Sequence, residues 1–146
     1  MLGYTYQDRY VLIGTKSGTT RTSVTLSTAY HADRTKAIRT AGASKIDLNI
    51  LYTTGAAETN NSVEVRVKSS PDGVNFYQIP NESVSAGTST LTAREFTFVG
   101  ADAATGYGLS LPLDVQNLWM QFEFKESGVS ANAGTLYVEA VLSGAR

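Results

Sequence analysis

Apolar and polar residues alternate with a period of two through most of this chain, and that period confines it to strands with one buried and one wet face. In Val63-Glu64-Val65-Arg66-Val67-Lys68 three valines face one way and three charges the other. Lys45-Ile46-Asp47-Leu48-Asn49-Ile50 repeats the pattern, as does Ser23-Val24-Thr25-Leu26-Ser27-Thr28. So do Leu118, Met120, Phe122 and Phe124 set against Trp119, Gln121, Glu123 and Lys125, and finally Leu136, Val138, Ala140 and Leu142. Weaker alternation marks Arg9 to Ile13, Val74 to Ile79 and Leu91 to Val99. In the last of these Leu91 is out of phase with Phe96 and Phe98, which predicts a bulge near Ala93 or Arg94.

About eight strands result, separated by breakers such as Gly18-Thr19-Thr20, Thr54-Gly55, Ser85-Ala86-Gly87 and the stretch Gly100 to Gly108. Asp72-Gly73 is the strongest hairpin signal. No long segment of helical period lies between the strands, and a single helical turn near Ala101 to Ala104 is the one exception considered. The expected fold is therefore all-β, an antiparallel β-sandwich of jelly-roll type. Eighteen Thr and 14 Ser among 146 residues suit such strands and turns better than helices. The inward set is Ile46, Leu48, Ile50, Val63, Val65, Val67, Met120, Phe122, Phe124, Leu136 and Val138. Residues 1–8 read as a polar, Tyr-bearing arm and residues 9–146 as the sandwich domain.

Charge and chemistry narrow the function classes. Twelve Lys and Arg against 13 Asp and Glu give a net charge of −1, which is not the electrostatic footprint of a phosphate-backbone binder. No apolar run approaches the length of a membrane span, so neither nucleic acid nor membrane is an expected partner. The amino terminus lacks the pattern of a secretory signal, and the chain is expected to be a whole gene product. Without Cys there is no thiol nucleophile, disulfide or thiolate metal site. His31 is the only histidine, in a segment expected to be a surface loop. No nucleophile elbow, phosphate loop or zinc-protease motif is present, so neither an enzyme nor a cofactor is expected. Asp72 with Asn75 suggests a calcium loop or, more simply, a turn in which Asn75 bonds its own backbone. Four aromatic residues are candidate interface groups. Tyr4, Tyr6 and Tyr10 crowd the amino-terminal arm, and Trp119 falls by parity on the wet face, where it would be either an exposed anchor or covered by a neighbour.

The carboxyl-terminal third carries a resemblance. Leu113-Asp114-Val115, then Leu118 through Val129, then Ala133 through Gly144 resemble the closing hairpin of small virion proteins of tailed bacteriophages. The Ser-Pro-Asp-Gly segment at 70–73 and the Ser/Thr/Ala/Gly-rich composition extend that likeness. It implies a capsid decoration, or cement, protein: a stand-alone chain made in the host cytoplasm that binds the major capsid protein on the virion surface as a homotrimer. Two other roles compete, a carbohydrate-binding or adhesin-like sandwich and a tail-associated virion protein.

Overall fold

The computed structural model describes residues 5–30, 37–59, 61–99 and 107–145. Their strands are β1 (Thr5–Ile13), β2 (Thr15–Ser17), β3 (Thr20–Thr22), β4 (Val24–Thr25), β5 (Ile38–Arg39), β6 (Lys45–Thr53) and β7 (Ser62–Ser70). The second half holds β8 (Tyr77–Gln78), β9 (Pro80–Ser85), β10 (Thr88–Ala93), β11 (Glu95–Val99), β12 (Tyr107–Asp114), β13 (Trp119–Ser127) and β14 (Thr135–Ala145). Every pairing among them is antiparallel.

Eight strands build the body, and their partners nest. The first, β1, pairs with the last, β14; β5 pairs with β13, β6 with β12 and β7 with β11. Two further ladders, β14 with β6 and β13 with β7, join these pairs into sheets ordered β1-β14-β6-β12 and β11-β7-β13-β5. That nesting is the pattern of a long hairpin rolled into two layers, so the fold is a jelly-roll β-sandwich. All eleven residues assigned inward from the alternation are buried. Ile46, Leu48, Ile50, Leu136 and Val138 come from one sheet and Val63, Val65, Val67, Met120, Phe122 and Phe124 from the other, joined in one apolar core.

Several expectations change, each for a local reason. Thr5–Asp8, assigned to a separate arm, form the first half of β1 and pair with Ala145 to Leu142, so the boundary at residue 8 falls inside a strand. The Ser23–Thr28 strand shrinks to Val24–Thr25, because β1 already occupies the neighbouring edge of β14 as far as Val138 and leaves β4 the positions at Leu136 and Thr135. Val74 to Ile79 likewise retains Tyr77–Gln78 as strand. The Asp72-Gly73 hairpin is real but has a six-residue loop, 71–76, in place of a tight two-residue turn. The bulge near Arg94 is a break between strands, where the Arg94 N–H donates to Ile79 O at 2.7 Å and the chain passes from β10 to β11. The turn proposed near Ala101 to Ala104 lies outside the described residues.

The roll gives the molecule two ends. One gathers the turns 54–61 and 128–134. The other gathers the turns 40–44 and 115–118 with the long connection 71–94 between β7 and β11. Both the start of β1 and the end of β14 lie at this second end.

Candidate interaction surface

The first end is closed by carboxylates. Glu126 continues the inward parity of Met120, Phe122 and Phe124 and is fully buried. Its carboxylate accepts hydrogen bonds from the Tyr52 hydroxyl at 2.5 Å, Asn61 Nδ2 at 3.2 Å and the Gly134 N–H at 2.8 Å. Burial, and then that bond to Glu126, push the Tyr52 phenol well above its ordinary range. Beside it Glu58 accepts the N–H groups of Ser130, Ala131 and Asn132, and those bonds, the one from Asn132 foremost, hold its carboxyl below the usual carboxylate range. Both side chains tie turns together.

The wet face of the second sheet is an ion-pair ladder. Directly opposed residues pair Lys125 with Glu64 at 3.0 Å and Arg66 with Glu95 at 2.9 Å, and the diagonal neighbours Lys68 and Glu123 pair at 2.7 Å. Tyr30 lies over the ladder. Its ring is 3.9 Å from the Arg66 guanidinium carbon and 4.7 Å from Lys125 Nζ, while its hydroxyl donates to Glu64 at 3.3 Å. On the outer face of the first sheet the β2–β3 hairpin does similar work: Lys16 pairs with Glu139 at 3.2 Å and Arg21 sits over the Tyr137 ring. A cleft of about 350 Å³ opens beside that hairpin, lined in part by Arg21, Asn49, Gly108, Ser110 and Tyr137. Glu139, which also lines it, already accepts from both Lys16 and Tyr137.

The second end differs in kind. Val74, Tyr77, Val84, Leu91 and Leu118 are the large hydrophobic side chains exposed among the described residues, each at least half exposed, and all five lie there. Its most prominent part is the ribbon β9–β10, six residue pairs in register around Ala86-Gly87. Both of those residues have positive φ, +49° and +79°, as a two-residue hairpin turn requires. Residues 80–92 of this ribbon are exposed without a break, so it leaves the sandwich and returns at Arg94. Its register sorts the side chains. Pro80, Val84, Leu91 and Ala93 share one face with Glu82 and Ser89, while the other carries Asn81, Ser83, Ser85, Thr88, Thr90 and Thr92. Glu82 is the one charge in β9 and β10, and it accepts a hydrogen bond from Ser89 at 2.7 Å.

The residues singled out from the sequence are scattered relative to this surface. Tyr4 and His31 lie outside the described residues, and Tyr6 is described by its backbone, opposite Gly144. Tyr10 is half-buried, packs against the core and donates from its hydroxyl to Asp8. Trp119 is half-buried beneath the 71–76 loop: a Cβ built on Gly73 would stand 2.9 Å from the indole, so glycine is what lets the turn rest on the ring. In that loop Asp72 accepts the N–H groups of Val74 and Asn75, both at 2.8 Å, and the Asn75 side-chain amide at 2.9 Å. Asn75 therefore bonds Asp72 and not its own backbone. Donors surround the carboxylate, and its pKa falls well below the ordinary value, chiefly through the Asn75 and Val74 N–H groups. The ribbon itself escaped the sequence reading. Its signal was the Ser85-Ala86-Gly87 turn between two short segments too poor in apolar residues to line a core.

No family model matches this chain, and no curated protein matches it. Among solved structures, the crystal structure of the SPBc2 prophage-derived protein YomS is similar to it, with a TM-score of 0.46 and 10% sequence identity over 99% of this chain and 98% of that one.

Proposed function

We propose that this chain is a non-enzymatic structural protein of a bacteriophage virion, a decoration or cement protein that binds the major capsid protein on the particle surface as a homotrimer. The observation that carries the reading is that the exposed large apolar side chains among the described residues gather at one end, on a projecting ribbon and the loops at its base. Exposed apolar surface gathered in one region marks a protein contact. Among the described residues, the wet face of the second sheet has its charges matched across the strands. The carboxylates with lowered pKa fit a structural role as well: Glu58 and Asp72 hold turns, Glu64 holds Tyr30 and Ser127, and Asp114 pairs with Lys45. The resemblance of the closing hairpin to small virion proteins supplies the particle. Synthesis in the host cytoplasm and residence on the capsid surface follow from it.

The test is reconstitution. Particles that carry the chain are stripped of it, the purified protein is added back, and binding and heat resistance are measured. Saturable co-sedimentation in fixed proportion to the capsid protein, with a rise in the temperature of particle disruption, is the expected result. A chain absent from the particles, or one that binds glycans and ignores them, overturns the proposal.

A further inference from the structure

We infer that the β9–β10 ribbon is a subunit-exchange arm: in the assembled protein its Val84/Leu91 face lies against a second copy of this chain, at the apolar end from which that copy's own ribbon springs. The inference rests on the assembly reading and names the partner. An isolated two-stranded hairpin is marginal in water, yet β9 and β10 hold register over six pairs with no core beneath them. Exposed strand edges are ordinarily blunted by Lys, by internal Pro or by bulges. Between residues 81 and 93 this ribbon has none of these. Val84 and Leu91 are diagonal neighbours on one face, 67% and 65% exposed.

Reciprocal contact favours a second copy. A standard stable interface takes about 800 Å² and 20–30 residues from each partner, so the six residues of the Val84/Leu91 face, Pro80, Glu82, Val84, Ser89, Leu91 and Ala93, supply about a quarter of it. One ribbon docked once is too small. A chain that gives one ribbon and accepts another doubles that contact, and this holds for a closed pair or a closed ring. The ribbon's one carboxylate, Glu82, lies on this face and accepts a hydrogen bond from Ser89, so each copy brings a single charge to the contact. Val74, Tyr77 and Leu118 provide apolar surface of the same kind at the same end for the incoming ribbon.

The experiment is the solution mass of the full chain by light scattering and sedimentation, from about 1 to 100 μM. It compares the unmodified protein, Val84→Lys/Leu91→Lys on the apolar face, and Ser85→Lys/Thr92→Lys on the polar face. The inference expects two or three times 15.6 kDa for the first and third and 15.6 kDa for the second, with unchanged circular dichroism and a Tm within a few degrees throughout. An unmodified chain that is monomeric over the whole range overturns it, and so does an apolar-face variant that stays assembled. Co-sedimentation with particles separates this from the function. A monomer that still binds particles overturns the exchange and the trimer and leaves particle binding standing, whereas an oligomer that never binds them overturns the virion reading alone.

Discussion

Glu126 is a side chain wholly out of water at the first end of the sandwich, and it is held there by one hydroxyl, one side-chain amide and one backbone N–H. Removing it would strand three buried donors. Glu126→Ala is therefore expected to cost roughly 3–5 kcal/mol in urea unfolding, with Glu126→Gln costing less because the amide oxygen still accepts. Parity places Glu126 inward as plainly as Phe124, but alternation is read by looking for apolar residues, and a buried acid satisfied from three distant segments leaves no local mark. Glu123 and Glu139 show the converse. Parity puts them on wet faces, and each is nonetheless buried, under the Arg66/Lys68 pair and the β2–β3 hairpin respectively. Gly73 is a third residue whose role is visible in three dimensions alone. Its φ of +76° and its contact with Trp119 both exclude a side chain, so Gly73→Ala is expected to lose about 1–2 kcal/mol. Because Trp119 is the only tryptophan, its fluorescence should report the displaced loop directly.

At the level of elements, the strands legible in the sequence are those that feed the core. β6, β7, β13 and β14 alternate cleanly because each has one face in the sandwich and one in water. Phe122→Ala in the middle of β13 should cost about 3–5 kcal/mol by the cavity it leaves. β9 and β10 were illegible for the opposite reason, since neither face is covered within the chain and no selection for core-forming residues acts on them. They also contribute little to the sandwich. Replacing residues 81–92 by a short Gly-Ser turn is expected to leave Tm within a few degrees of the unmodified chain, measured on monomer at low concentration. A collapse of Tm would mean that the ribbon supports the body.

For the whole molecule, the sequence pointed to a sandwich of jelly-roll type and to its inward residues, but not to which particular strands meet. Nesting depends on which distant strands meet, and that is settled by burial of both sheets at once. The same global structure sets the response to pH. Glu58, Glu64, Asp72 and Asp114 are held below their ordinary values, so as pH falls the unfolded chain takes up protons before the folded one, and stability is lost below about pH 4.5. Burial, and then the Glu95 and Glu64 charges, push Tyr30 up to about 12, and Tyr10, Tyr52 and Tyr137 are raised too. Here the unfolded chain ionises first as pH rises, and stability is lost above about pH 10. Thermal unfolding across pH should accordingly show a plateau between these limits. A Tm that climbs on acidification to pH 3 would contradict the assignment of those carboxylates. The central claim concerns the apolar end, and an electron cryomicroscopy map of the particle that carries this chain tests it most directly. The account predicts jelly-roll density on the capsid surface with Val84 and Leu91 buried in a protein contact. A ribbon end turned outward into solvent, or no density for the chain on the capsid, would contradict it.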